Sequence, residues 1–192
     1  MPCGESPKKQ PWGLSSLPKV EATLCRTLSH VNRIAALSEG GGRVLPPRSA
    51  ALYMVATPIG NARDITLRAL DVLAAADVIA AEDTRSARRL MEIHGVALGD
   101  RPLLAYHDHN GPAVRPRLLA ALAEGRSVAY VSDAGTPMVA DPGFVLAREA
   151  IAAGLSVEAV PGASAALAAL TVSGLPTDRF LFAGFAPPQS GA

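Results

Sequence analysis

The sequence has little cysteine, few aromatic residues and no long apolar run, and each shortage excludes a class of protein. Its only two cysteines, Cys3 and Cys25, stand near the N-terminus, so neither a disulfide framework nor a thiolate metal centre organises the chain. Aromatic residues make up 4% of a chain that is 49% hydrophobic, so the core must come from Ala, Val, Leu and Ile. No apolar run reaches the roughly 20 residues of a membrane span. The N-terminus also lacks the apolar stretch of a secretory signal. We therefore expect a cytoplasmic protein with no membrane partner.

Positive charge is concentrated at the start of the chain. Residues 1–50 carry three Lys and four Arg against three Glu, a net charge of +4. Residues 51–192 carry eleven Arg and fourteen acids, a net charge of −3, and so lack the basic footprint typical of nucleic-acid binders. Pro- and Gly-rich stretches surround the basic segment, which predicts a disordered or poorly packed extension over residues 1–50.

From residue 51 onward, short apolar runs alternate with segments of helical periodicity. This alternation predicts an α/β domain over 51–188, with a mostly parallel five-stranded sheet and helices on both faces. Residues 189–192 would form a short tail. Asp64 and Asp141 are the expected N-caps of the first and fourth helices. The predicted strands are 51–56, 77–81, 102–106, 127–131 and 156–160, and the predicted helices are 64–76, 84–95, 111–125, 141–154 and 163–174.

Each predicted strand ends in a polar or Gly/Pro-rich turn. The five turns read "TPIGN", "EDTR", "HDHN", "SDAGTP" and "PGASA". In a parallel sheet they share the carboxyl edge, where open α/β sheets bind ligands. They contain more polar and small residues than turn formation requires, which predicts a ligand site at this edge.

The small residues of these turns indicate what kind of ligand would fit. The sequence contains neither G-x-x-x-x-G-K-[ST] nor G-x-G-x-x-G, which disfavours a P-loop kinase and a dinucleotide oxidoreductase. Gly135 and Gly162 would instead let a flat or uncharged ligand approach the backbone closely.

Three features have a structural alternative to a functional role. In "EDTR", Asp83 or Thr84 could cap the next helix. In "HDHN", His107 and His109 alternate on an extended segment and so face one side, where they could bind a metal or form the polar rim of the cleft. Asp133 could contact a ligand or close an Asx turn.

Taken in series, "TPIGN", "EDTR", "HDHN", "SDAGTP" and "PGASA" resemble the ribosomal RNA small subunit methyltransferase I family, part of the tetrapyrrole-methylase-like superfamily. The resemblance covers about residues 52–187 and implies the N-terminal domain of a two-domain enzyme, with the second domain absent from this chain. It implies S-adenosylmethionine as cofactor and a ribose 2′-hydroxyl of a cytidine in 16S rRNA of the small ribosomal subunit as methyl acceptor. A homodimer is expected from the same family.

The resemblance also implies roles for individual residues, with no metal required. The residues that it implies for cofactor binding are Pro58, Ile59, Ala134, Gly135, Thr136, Pro137, Val139, Ser164 and Ala165. Those expected to face the RNA are Glu82, Thr84, Arg85 and Asn110. The candidates for a general base, among which the sequence does not choose, are Asp83, His107, Asp108 and His109.

Three alternatives remain open at this point. The chain could belong to a same-fold methylase of a small molecule such as a tetrapyrrole. It could be a non-catalytic binding or dimerising module. It could also be a metal-dependent hydrolase that uses His107 and His109.

Overall fold

Five short parallel strands form a single sheet, as the alternation predicts. The computed structural model describes residues 49–138 and 141–184. The strand order is β3-β2-β4-β1-β5, and every neighbouring pair is parallel. The expected α/β architecture is therefore confirmed. The strands are β1 (Leu52–Val55), β2 (Val78–Ala81), β3 (Leu103–Ala105), β4 (Val128–Val131) and β5 (Val157–Val160).

The register places the carboxyl ends of all five strands on one line. Val131 of β4 pairs with Val55 of β1 and with Ala81 of β2. Ala81 also pairs with Ala105 of β3, and Val55 pairs with Val160 of β5. Because these residues are level, the five turns that follow them begin side by side.

Of the five α-helices in the described residues, four cover the two faces of the sheet, and each face has its own apolar cluster. Helices α1 (Leu67–Ala75) and α2 (Thr84–Ile93) pack on one face, and α3 (Gly111–Ala123) and α4 (Gly143–Ala152) pack on the other. Successive strand residues alternate between the clusters, as the period of two in a strand requires. Helix α5 (Ala165–Val172) contains no buried residue.

Two predicted helix starts are wrong, although Asp141 still accepts a hydrogen bond from the amide of Gly143, the first residue of α4. Asp64 ends a 3₁₀ turn (Ala62–Asp64), and α1 is capped instead by Thr66, whose hydroxyl accepts from the amide of Ala69 at 3.1 Å. Asp141 precedes the N-cap position of α4, which is Pro142, because proline already adopts helical angles there. The last helix is also shorter than predicted, 165–172 rather than 163–174. Within the part of the chain that the structure describes, no helix has the length and apolarity needed to cross a membrane.

Candidate active site

The turn after β4 lies between two turns that lead to the opposite face of the sheet. The connections after β1 and β2 lead to α1 and α2 on one face, whereas the connection after β4 leads to α4 on the other. Such reversals open a crevice beyond the strand ends, the usual ligand position in open α/β sheets. "SDAGTP" therefore lies at the point of reversal, between "EDTR" and "TPIGN".

The turns after β1 and β4 are joined by backbone hydrogen bonds. Thr57 and Gly135 exchange two of them, since the Thr57 amide donates to the Gly135 carbonyl at 2.9 Å and the reverse bond measures 3.0 Å. The buried Thr57 hydroxyl donates to the carbonyl of Ser132 at 3.2 Å. These bonds fix the two turns relative to each other and make this part of the site rigid.

Three turn segments, which follow β1, β4 and β5, form a group that we call the cradle. It consists of residues 57–59, 134–137 and 163–165. Gly135 has a φ of 84°, and a Cβ there would lie 3.4 Å from Ile59 Cγ2 and 3.7 Å from the Ala163 carbonyl oxygen. The hydroxyl of Thr136 donates to that same carbonyl at 2.9 Å. Gly135 and Pro137 are buried, while Ala134 and Thr136 are exposed. The structure thus brings together the three turns predicted to bind the cofactor. Val139 lies outside the described residues.

Gly162 packs closely against the end of β1. A Cβ at Gly162 would lie 2.9 Å from Cβ of Ala56 at the end of β1. The missing side chain therefore makes room for the end of β1. That Gly162 also gives space to a ligand stays a prediction. Gly135, by contrast, faces Ile59 at an ordinary contact distance.

Glu82, in the turn after β2, makes a hydrogen bond to the turn after β4. Its Oε2 accepts a hydrogen bond from the backbone amide of Asp133 at 3.1 Å. Burial raises the pKa of Glu82, and the negative charges of Asp133, Asp141 and Asp108 raise it further, while the Asp133 amide opposes the shift. Glu82 is thus a carboxylate that holds its proton to a higher pH than an ordinary glutamate.

Asp83, next along the chain, is the N-cap of α2. Its Oδ1 accepts from the backbone amide of Arg85 at 2.8 Å, and the Arg85 guanidinium binds both carboxylate oxygens, at 3.2 and 2.9 Å. The hydrogen bonds from Arg85 lower the pKa of Asp83. The capping alternative is therefore confirmed for Asp83, with Thr84 the first residue of the helix.

The "HDHN" segment is a turn, so the expectation of an extended segment is wrong. The carbonyl of His107 accepts from the amides of Asn110 and Gly111 at 3.1 and 2.8 Å. The Asn110 side chain closes the same turn, accepting from the His107 amide at 2.8 Å and donating to the Ala105 carbonyl at 2.9 Å. The rings of His107 and His109 still lie 5.9 Å apart. Among the described residues, no three metal-ligating side chains are grouped to hold an ion.

A buried tyrosine supports this edge of the sheet, and sequence reasoning missed it. The hydroxyl of Tyr130, on β4, donates to Asp141 Oδ1 at 2.8 Å, and the amide of Gly143 donates to the same oxygen at 2.6 Å. Burial, followed by the charge of Asp141, raises the pKa of Tyr130. The available signal was a single tyrosine in a strand of small apolar residues.

A cavity of about 280 Å³ lies between α2 and the turns after β1 and β4. We call it the α2 cavity. It adjoins the cradle, because Thr57 and Pro58 line both. This cavity could not be predicted from the sequence, because the residues of α2 that line it fit an ordinary amphipathic helix. Its lining residues are Thr57, Pro58, Ala62, Ser86, Ala87, Arg89, Leu90, Ile93, Val131, Ser132 and Asp133.

A doubly covered parallel sheet with a small-residue cleft at its carboxyl edge defines an α/β ligand-binding domain. Residues 51–187 match the family model of the tetrapyrrole (corrin/porphyrin) methylases. Since the match spans most of the 192 residues, the chain belongs to this family.

The curated relatives of the chain have a more specific name than the family model. The chain is 58% identical over 145 residues to ribosomal RNA small subunit methyltransferase I of Mesorhizobium japonicum, covering 76% of this chain and 48% of that protein. It is 51% identical over 139 residues to the protein of the same name from Escherichia coli O157:H7, covering 72% of this chain and 48% of that one. The chain thus spans about half the length of these relatives.

Solved structures agree on the fold. A cobalt precorrin-4 methyltransferase from cobalamin biosynthesis superposes with a TM-score of 0.53 at 22% identity, over 65% of this chain and 50% of that one. A conserved hypothetical protein from Aeropyrum pernix K1 gives 0.54 at 28% identity, over 69% and 45%.

Proposed function

We propose that this chain forms the cofactor-binding part of an enzyme that methylates 16S rRNA. The reaction is transfer of the methyl group of S-adenosylmethionine to the ribose 2′-hydroxyl of a cytidine in the small ribosomal subunit, in the cytoplasm. The observation that carries the proposal is the 58% identity to an rRNA small subunit methyltransferase over 145 residues, 76% of this chain. By the same family likeness, the working enzyme is a homodimer.

The cradle fits the proposed cofactor. Gly135 and Ala134 have small side chains or none, which leaves space for a ligand. The buried backbone of Gly135 is held by two hydrogen bonds to Thr57. We assign cofactor contact to the cradle residues of all three turns, with Ile59 and Thr136 beside Gly135. When bound, S-adenosylmethionine supplies an electrophilic methyl carbon on a positively charged sulfur.

The cradle residues would hold S-adenosylmethionine, which would supply the methyl group and keep its sulfur as a neutral thioether. The chain's own part would be to orient the ribose hydroxyl and to take up its proton. Orientation of the two reactants is the main contribution of the protein, and effective molarities in well-oriented systems correspond to about 7–11 kcal/mol. The rigid pairing of the turns after β1 and β4 serves that purpose.

We assign the base role to Glu82 rather than to Asp83. Asp83 uses both oxygens on Arg85, and its pKa is lowered, which weakens it as a proton acceptor. Glu82 has a raised pKa and one accepted amide bond, which leaves a carboxylate oxygen for the substrate. A base with a raised pKa is better matched to neutral pH and contributes typically 10²–10⁴-fold. His107, Asp108 and His109 then form the neighbouring RNA-facing edge with Thr84, Arg85 and Asn110.

The second candidate is methylation of a tetrapyrrole, which the family's description favours. One experiment separates the two. Residues 1–187 of this chain are joined to the C-terminal half of the Mesorhizobium japonicum relative, and this fusion protein is incubated with labelled S-adenosylmethionine and either small ribosomal subunits or uroporphyrinogen. The proposal requires label in 16S rRNA, whereas label in the tetrapyrrole alone would establish the second candidate.

A further inference from the structure

The α2 cavity has the size and the lining of a site for a single nucleoside. Its volume of about 280 Å³ is just below the range of small-molecule sites, about 300–1,000 Å³. A macrocycle of four pyrrole rings with its carboxylate arms needs more room than this. One base with its sugar is the largest nucleic-acid unit that such a volume suits.

The lining of the cavity combines apolar side chains with a carboxylate. Leu90, Ile93 and Ala62 present apolar surface against which the face of a base can pack, and Ile93 is 50% exposed. Asp133, on the turn after β4, also lines the cavity. Its side chain is exposed, while its backbone amide is held by Glu82. Carboxylates accept hydrogen bonds from the N4 amino group of cytosine, the donor that distinguishes cytosine from uracil.

Arginines of α2 stand at the rim of the cavity. Arg89 lines it, and Arg85 and Arg88 are exposed on the same helix. The pair of Arg89 with Glu92 spans 3.7 Å between side chains that are 74% and 59% exposed. Exposed pairs of this kind contribute at most about 1 kcal/mol. A phosphate group can therefore replace Glu92 as the partner of Arg89 at little cost.

We propose that the α2 cavity receives the target cytidine, turned out of its RNA helix. The base would lie between Leu90, Ile93 and Asp133, with a flanking phosphate on Arg89. This inference rests on the proposed function and deepens it. Because Thr57 and Pro58 line both the cavity and the cradle, a ribose in the cavity would stand beside the cofactor. Removing a nucleotide from its stack is the usual way in which an enzyme reaches a target inside a duplex.

Isoleucine methyl groups give a separate reporter for each part of the site. Ile93 lines the α2 cavity, Ile59 faces Gly135 in the cradle, and Ile151 is 62% exposed on α4. The chain is labelled with ¹³C at its isoleucine methyl groups and titrated with cytidine 5′-monophosphate, with adenosine and with S-adenosylmethionine. We expect the nucleotide to shift the Ile93 resonance, S-adenosylmethionine to shift Ile59, and neither to shift Ile151.

Substitution then tests whether the cavity itself is responsible. Ile93→Trp fills it from a half-exposed position at the end of α2 and should weaken nucleotide binding at least tenfold, while the Ile59 response to S-adenosylmethionine is retained. Ser86→Trp is a second filling variant from an exposed position, and Ile151→Trp is the matched control that should change neither response.

The possible failures are distinct. The inference is overturned if cytidine monophosphate leaves Ile93 unshifted, if adenosine shifts Ile93 more strongly than the cytidine nucleotide does, or if Ile93→Trp binds the nucleotide normally. Absence of any Ile59 response to S-adenosylmethionine would instead count against the proposed function, whatever the nucleotide does.

Discussion

The backbone amide of Asp133 donates a hydrogen bond to the carboxylate of Glu82 at 3.1 Å, and this bond links the turns after β4 and β2. The bond attaches an acid with a raised pKa to the residue that directly precedes the cradle segment 134–137. The charges of Asp133, Asp141 and Asp108 contribute to that raised pKa. The proposed roles of both residues follow from this relationship.

Replacement of Glu82 by Gln tests its role as the base. Gln keeps an oxygen for the Asp133 amide but cannot accept the proton, so the fusion protein should lose about 10²–10⁴-fold in methyl transfer. In the parent, activity should fall as pH falls through the pKa of Glu82, which lies above that of an ordinary glutamate because of burial. The variant should lack this acid limb. Glu124→Gln, at an exposed ion pair with Arg126, is the control, and an unchanged pH–rate profile in Glu82→Gln would remove Glu82 from the mechanism.

Asp83 should be needed for stability but not for proton transfer. Asp83→Ala removes the cap of α2 and should lower the free energy of unfolding by about 1 kcal/mol, as measured by urea denaturation. Asp83→Ser restores a capping oxygen without a carboxylate, and should recover both the lost stability and most of the activity. A Ser variant that is stable and yet inactive would return Asp83 to the list of bases.

Gly135→Val should abolish binding of S-adenosylmethionine to the fusion protein in calorimetric titration. At a φ of 84°, a β-branched side chain is strained. Its Cβ would already be in contact with Ile59 and the Ala163 carbonyl, so its two methyl groups would take up space inside the cradle. Gly125→Val is closely matched, since Gly125 has a φ of 83° with open space around it and lies after α3, before β4 begins. If both variants bind the cofactor with the affinity of the parent, the cradle is not the cofactor site.

Gly143→Ala should destabilise the chain by about 1–3 kcal/mol, because the site has no room for a methyl group. The new Cβ would overlap Tyr130 Cε1 and would lie 2.7 Å from Asp141 Oδ1 and 3.0 Å from Met54 Cε. Gly111→Ala meets its nearest neighbours at 3.6 Å and should be close to neutral. Equal midpoints in urea for the two variants would show that the Tyr130–Asp141 contact adapts freely.

The sheet could be predicted from the sequence because each strand is a short apolar run between strong helix and turn signals. Strand order could not, since nothing local states that β4 is inserted between β1 and β2. That insertion places "SDAGTP" between "EDTR" and "TPIGN". The same limit applies at the helix starts: Asp64 and Thr66 are both good caps, and only the 3₁₀ turn decides between them.

Within the site, the sequence predicted which turns meet, but it could not assign tasks to adjacent residues. Glu82 and Asp83 are both carboxylates at the end of one strand, and only the structure places one beneath the Asp133 amide and the other on Arg85. Gly135 and Gly162 look alike in the sequence, yet only Gly162 is required by the close approach of Ala56. Such distinctions depend on contacts between residues far apart in the chain.

The most direct test of the proposed function is the position of the methyl group after reaction. The fusion protein is incubated with labelled S-adenosylmethionine and small ribosomal subunits, and the 16S rRNA is then digested with alkali. Alkali cannot cleave the phosphodiester on the 3′ side of a 2′-O-methyl ribose. We predict one labelled, alkali-resistant dinucleotide whose first nucleoside is cytidine. Cofactor binding without this product, or label on a base, would contradict it.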